Sequence, residues 1–461
     1  MARPASARGA FPLTCLLICG DRAPHPALVA NLPDFVLSDK LLPGDWTCVF
    51  RWGAVHGSDE GHWVVNAAQA VANARGADMA AFLRLNDLAA NPALEPRWRV
   101  YVFDLRTLGV MQRVGRRWRH VSQWTSGPIV KLRETARRAV YALGLHFGAV
   151  DLAGTGKGIV VRVLPDPPLD TRLARRFAQA MVTYVAATQE AVAAAHGLAP
   201  GPEVVLGADP EFILRNRRTG RTVSAARFFP RWGVVGLDRA CFKRNGVLIY
   251  PLAEVRLPPS PDPLELVENL RRAIAKAASA VRGRRISFEA GGTSLRSFSI
   301  GGHIHFSNVR LSTDLLRALD NYLALPVLML ENPVSSRLRR PRYGYLGDWR
   351  PQPHGGFEYR TPGSWVVSPH YAAAVLCLAK AVAQDYPLLR RNVFLSLDNQ
   401  RAFYAADKPT LRPYFFALWR DLQQSPVARE FHKHLALVHQ MVSEERRWNE
   451  RVDIKKRWLA S

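Results

Sequence analysis

The chain has 461 residues, 48% hydrophobic and 22% charged, a balance that excludes disorder and, at this length, asks for two or three domains. Lys and Arg outnumber Asp and Glu by 63 to 38, a formal net charge of +25. That excess favours acidic partners such as nucleotides or polyanionic substrates, or marks only a solvated basic surface. No zinc-finger spacing or RNA-binding signature accompanies it, so nucleic acid is not the expected partner.

Arg3 and Arg8 precede the apolar run Phe11 to Cys19. The run is short, contains Pro12 and lacks a small-residue cleavage pattern, so it reads as a buried first strand and not as an export signal. No stretch reaches the roughly 18 apolar residues of a membrane span. The five cysteines are scattered and odd in number, which predicts a reducing cytoplasm over a disulfide framework. Val64 to Leu88 predicts helix, Arg99 to Phe103 a strand, and Lys131 to Leu143 an amphipathic helix stopped by Gly144. Phe147 to Leu152 and Gly158 to Leu164 read as paired strands, and Asp170 to His196 as a long alanine-rich helix. Gly197 to Pro202 reads as the end of a first domain, residues 1–200.

This first half resembles the ATP-grasp superfamily in reduced form. The resemblance rests on Arg51-Trp52-Gly53, Asn66 with its following helix, Arg99 to Val102, and Ala142 to Leu145 leading into Gly148 to Asp151. Where that family carries a metal-binding Glu and Asn in its last core strand, this chain reads Val161-Arg162-Val163. A cation in that place repels magnesium, so the half is expected to be a degenerate domain that docks or orients a partner.

The second half, residues 203–395, carries the chemistry. Asp209 and Glu211 stand two apart, as do Glu254 and Arg256, His303 and His305, and Glu358 and Arg360. Alternate residues of a strand share a face, so each pair presents two polar groups to one side. Taken singly, each has an ordinary reading: a solvent-facing strand edge, a salt bridge, a core histidine. Together, carboxylates and imidazoles suit divalent metals and arginines suit phosphate. Arg337, Arg339, Arg340, Arg342 and Arg350 form an arginine-rich stretch that reads as a grip for polyphosphate. Pro263 to Val281 and Thr313 to Leu330 predict helices. Residues 396–461 read as a helical extension, ending in a basic stretch with Trp448 and Trp458 that would pack or serve as a binding arm.

The order Asp-x-Glu, Glu-x-Arg, His-x-His, arginine stretch, Glu-x-Arg resembles the glutamine-synthetase-like carboxylate–amine ligases, most closely the phage-type amidoligases of type 2. Gly207 to Phe212, Gly301 to Phe306 and Phe357 to Pro362 resemble their hallmark strands. The resemblance implies an α+β fold whose second half is a curved antiparallel sheet with flanking helices, holding ATP and Mg2+ or Mn2+. By position, Asp209, His303 and Glu358 resemble ligands of the metal that bridges the nucleotide phosphates. Glu211 and Glu254 resemble those of a second metal beside the substrate carboxylate. Arg350 and Arg360, with Arg342, resemble the arginines that neutralise the transferred phosphoryl group, and His305 stands behind the metal ligands. The family's synthetases carry a further glutamate near the second acid, with no obvious counterpart before Glu254. The implied reaction is two-step: ATP phosphorylates a carboxylate, and an amine displaces phosphate to give an amide or peptide bond. Carboxylate and amine would be small molecules or peptides, and assembly into oligomers stays open. Rival readings are a silent nucleotide- or peptide-binding protein and a hydrolase built on His303 and His305.

Overall fold

A computed structural model describes residues 14–39, 48–295, 298–353 and 355–460. Arg3, Arg8 and the start of the run at Phe11 and Pro12 lie outside them. The chain divides into two compact units, one of residues 1–201 with 394–400, the other of 202–393 with 401–461.

The first unit holds two sheets. One is parallel, built from β1 (Cys15–Cys19), β2 (Phe35–Ser38), β3 (Cys48–Trp52) and β4 (Trp63–Val65) in the order β2-β1-β3-β4. The other is antiparallel: β5 (Trp98–Phe103), β6 (Arg106–Val114), β7 (Arg117–His120), β8 (Phe147–Ala153) and β9 (Ile159–Leu164), ordered β7-β6-β5-β8-β9. Alternation along β5 explains its burial on both faces. Val100 and Val102 join Leu132, Ala136 and Val140 of helix Ile129–Ala142 in one core. Phe103 and Phe147 stack at 5.6 Å and meet Phe177 and Tyr184 of helix Thr171–Ala195 edge-on. The expected helix from Val64 to Leu88 is instead strand β4 and two short helices, Ala68–Arg75 and Met79–Leu85, separated at Gly76. Residues 394–400 are fastened into this unit: the Gln400 side chain donates to Ala142 O at 2.9 Å and accepts from Asn86 Nδ2 at 2.8 Å.

The second unit sets two antiparallel sheets around its site. One contains β10 (Val205–Ala208), β20 (Ile304–Ser307), β22 (Phe357–Tyr359) and β21 (Trp349–Pro351) in that order. The other runs β12 (Thr222–Val223), β11 (Glu211–Asn216), β16 (Leu252–Val255), β13 (Val235–Leu237), with β17 (Ile286–Glu289) also paired to β11. Two hairpins complete the strands, β14 (Phe242–Arg244) with β15 (Val247–Ile249), and β18 (Thr293–Leu295) with β19 (Phe298–Ser299). Helix Pro369–Asp385 is almost wholly buried, which its run of Ala, Val, Leu and Cys requires. The helix expected from Thr313 to Leu330 carries a wider π turn at Asp320–Ala324. Trp448 and Trp458 are 2% and 0% exposed, and Trp458 donates to Val366 O at 2.8 Å, so the basic tail packs and does not form a free arm. Among the described residues no helix is long and apolar enough to cross a membrane.

Candidate active site

The chain leaves one sheet of the second unit and enters the other through Asp209-Pro210, between the ends of β10 and β11. Proline has no N–H to give a ladder, so the crossing falls where pairing changes partner. Asp209 N still donates to His303 O at 3.3 Å and Glu211 N to Gly301 O at 2.9 Å. The two carboxylates therefore stand on either side of the crossing, each with its backbone pinned.

Register then gathers the rest. Gly207, His305, Glu358 and Arg350 lie in one row across the four strands, and directly opposed residues share a face. Asp209 and Arg360 stand two residues after Gly207 and Glu358, and His303 two before His305, so in these antiparallel strands all three lie toward the same side of that row. In the neighbouring sheet Glu254 opposes Glu211 on one side and Gly236 on the other. The glycines leave room. A Cβ at Gly301 would collide with the His303 imidazole, and one at Gly236 with the Arg256 guanidinium.

The resulting contacts are close. His305 Nε2 lies 3.1 Å and His303 Nδ1 3.4 Å from Asp209 Oδ1. His303 Nδ1 is also 3.3 Å from Glu358 Oε1. Glu358 is fully buried; its Oε2 accepts from Arg350 Nε at 2.8 Å and Gln352 Nε2 at 2.7 Å, while Arg360 Nε stands 3.1 Å from Oε1. Arg360 is also 3.7 Å from Asp348. Beside them Glu254 is ion-paired with Arg256, and Glu211 Oε2 accepts from Gly301 N at 2.6 Å.

Electrostatics follow from burial and like charge. Burial pushes Glu211 up to about 7, with Asp238 and Asp209 adding to the rise against the pull of His303. Glu254 rises to about 8, through burial first and then the charge of Asp209, opposed by Arg256. Burial alone would lower His303, but Asp209, Glu211 and Glu358 hold its proton and raise it to about 9. Burial likewise works against ionised Asp209, yet His303 and His305 keep it far below the usual carboxylate range. An imidazolium thus stands at the centre of an acid cluster.

The residues fit a divalent cation in its place. Asp209, His305 and Glu358 each place one ligand atom within 4.8 Å of the others. His303 Nδ1 and Glu358 Oε1, though an ion pair, are buried with no hydrogen bond of good geometry. Oxygen and imidazole donors of this kind suit hard and borderline divalent ions. Glu211 and Glu254, with Asp238 nearby, form a second group that costs free energy unless protons or a cation separate the charges.

The structure thus brings together Asp209, His303, His305, Glu358, Arg350 and Arg360, and sets Glu211 beside Glu254. Arg342 is not brought in: it is exposed, its guanidinium over the Tyr343 ring, 5.8 Å from the centroid. Nor do Arg339 and Arg340 grip polyphosphate. They are 2% and 4% exposed; Arg339 donates to Thr361 O at 2.6 Å and Arg360 O at 2.8 Å, and Arg340 pairs with fully buried Glu331 at 2.7 Å. Both brace the backbone that follows Glu358. Sequence reasoning missed Gln352, Asp348 and Asp238. Asp348 and Gln352 flank Arg350 at the two-residue spacing of a strand, and Asp238 continues that of Gly236, so a signal was present for all three.

Paired acids and imidazoles on antiparallel strands, rimmed by arginines, make a site with the donors for a divalent cation and the cations for an anionic group. Residues 206–459, more than half of the chain, match the family described as phage phiEco32-like COOH.NH2 ligase-type 2. The chain belongs to that family of carboxylate–amine ligases. None of the curated proteins compared with it matches. Solved structures give distant likenesses. The ATP-grasp ligase PsnB, complexed with precursor peptide PsnA2 and AMPPNP, is 10% identical and covers 39% of this chain and 100% of its own, with a TM-score of 0.29. A bifunctional glutathione synthetase from Pasteurella multocida is 12% identical over 56% of this chain and 51% of its own, TM-score 0.35. A novel glutamine synthase homolog is 15% identical over 56% of this chain and 74% of its own, TM-score 0.27. These likenesses are too remote to carry an activity across.

Proposed function

We propose that this protein joins a carboxylate to an amine at the expense of ATP, through an acyl phosphate. The observation that carries the reading is the convergence of Asp209, His303, His305 and Glu358 beneath Arg350 and Arg360. A free carboxylate is a poor electrophile because its leaving group would be oxide, and phosphorylation supplies a better one. Mg2+ or Mn2+ held by Asp209, Glu358 and an imidazole, with a second ion at Glu211 and Glu254, would neutralise phosphate charge. Arg350 and Arg360, 56% and 29% exposed at their side chains, can leave Glu358 for the transferred phosphoryl group. Glu358 in turn keeps both guanidiniums aimed at the place where that charge develops. Glu211 and Glu254, held partly protonated by burial, would hold a second cation only in their deprotonated form, so its binding would release their protons. Glu254 also fixes Arg256 at the edge of the site, where a substrate carboxylate would be met. The substrates are small-molecule or peptide acids and amines, and the five free cysteines suit a cytoplasmic setting.

The test is incubation with ATP, Mg2+ and pooled acids and amines, read by mass spectrometry for amides. A carboxylate labelled with oxygen-18 should pass one labelled atom into the phosphate released. Amide formed with unlabelled phosphate would remove the acyl phosphate from the scheme. Turnover retained in both Glu211→Ala and Glu358→Ala would remove those residues from their roles.

A further inference from the structure

A cavity of about 800 Å3 lies within the first unit, lined among others by Arg75, Arg113, Arg116, Arg162, Trp118 and Glu95. None of these takes part in the chemistry above. Its charge is set by what lies behind Arg162. Asp151, fully buried, accepts from Arg99 at 2.6 and 2.9 Å and from Arg162 at 2.6 Å. Two guanidiniums against one carboxylate leave a net positive charge where Arg162 enters the cavity. Arg99 is fixed over the Trp118 ring, 4.5 Å from its centroid, and Trp118 faces Arg113 across the ladder. Glu95 pairs with Arg113, and Arg75 with Asp166 at 3.2 Å and Asp21 at 3.4 Å, so the positive excess rests on Arg162 and Arg116. Arg116, exposed at the turn between β6 and β7, adds a further cation.

The sign of this site excludes a metal and invites an anion. The cations come from four places: the end of helix Ala68–Arg75, β6, the β6–β7 turn and β9. Charges so distributed match several carboxylates along an extended chain better than one compact anion. Guanidiniums grip carboxylates as planar forks. Pro92, Leu94 and Pro96 give the same cavity an apolar wall, against which the stems of acidic side chains can lie.

We propose that this cavity binds an acidic peptide segment, rich in Glu or Asp, without a metal ion. The segment belongs to a peptide substrate at a distance from its reacting group, so the proposal rests on the ligase reading and names its substrate class. Arginines select the acidic segment and bring the peptide to the enzyme, leaving bond formation to the second unit's own residues.

The test is fluorescence anisotropy of a labelled hexaglutamate peptide with the full chain, without nucleotide, over a range of salt. Arg116→Glu and Arg113→Gln should each weaken binding about tenfold or more, while melting like the wild type. Arg218→Glu, an equal change of charge to Arg116→Glu on the exposed surface of the second unit, should change it less than about twofold. Equal losses in Arg116→Glu and Arg218→Glu, or no binding by the wild type, would overturn the site. An oligonucleotide of equal charge that binds as tightly and is weakened by Arg116→Glu would overturn the peptide assignment. The two readings fail separately. Peptide bound with no amide formed under any substrate sinks the ligase reading, and with it the assignment to a substrate, but leaves the acidic-peptide site standing; peptide amides formed without this binding sink the cavity alone.

Discussion

Buried acids on antiparallel strands meet opposite fates in the two units. In the first, Asp151 of β8 finds Arg99 on β5 and Arg162 on β9, and its charge is overcompensated by side chains. In the second, Glu211 stands directly opposite Glu254, and Asp209 and Glu358 share one imidazole between them. The strands are alike in kind. What differs is the sign of the residue across the ladder, and that sign decides whether a site is closed by the protein or completed by a ligand.

Five substitutions would break or sharpen this contrast. The largest effect is expected in the second unit: Glu358→Ala or Asp209→Ala should lower amide formation by about 100-fold or more, by analogy with removing one group from a preorganised site. Mg2+ should raise the melting temperature of the wild type and not of Asp209→Ala. Asp151→Asn should act the other way, leaving turnover per folded molecule near wild type while destabilising the first unit by about 3 kcal/mol, since two guanidiniums lose a buried partner. Equal damage to turnover from both would erase the distinction. Next, Glu331 is held at about 2 because Arg340, aided by Ser336, outweighs the cost of its burial. A depressed carboxylate contributes stability that is complete above its unfolded value of 4.5 and is lost as pH falls through about 2. Acid unfolding of the wild type should therefore steepen across that window, and Glu331→Gln should flatten it. The smallest effect belongs to Arg342→Ala, expected to change stability by no more than about 0.5 kcal/mol and to leave the rate nearly unchanged. A large loss there would return Arg342 to the site.

The part of this plan that sequence displays is the part written in alternation. Asp209 with Glu211, His303 with His305 and Glu358 with Arg360 advertise a shared face because a strand repeats every two residues. Register does not show itself that way. That Glu358 sits between His305 and Arg350 depends on pairing between segments about 50 residues apart and then adjacent, and no local pattern encodes it. The arginine stretch misled for a related reason. Arg339 and Arg340 look like their exposed neighbours in composition, yet carbonyls of Arg360 and Thr361 and the carboxylate of Glu331 draw them inward. Gly344 makes space for Arg339, since a Cβ there would overlap its guanidinium. In the first unit, the cation at Arg162 was legible, but its bond to Asp151 needed the β8–β9 pairing.

The passage through Pro210 has a consequence of scale. Consecutive Cα atoms across a trans peptide lie about 3.8 Å apart, so Asp209 and Glu211 cannot separate by more than roughly 7.5 Å along the backbone, whatever the sheets around them do. The protein's two anionic nests are thus joined by a covalent ruler. Any ions held there would have ligands whose backbone anchors stay within that span, leaving only the side chains to adjust their spacing.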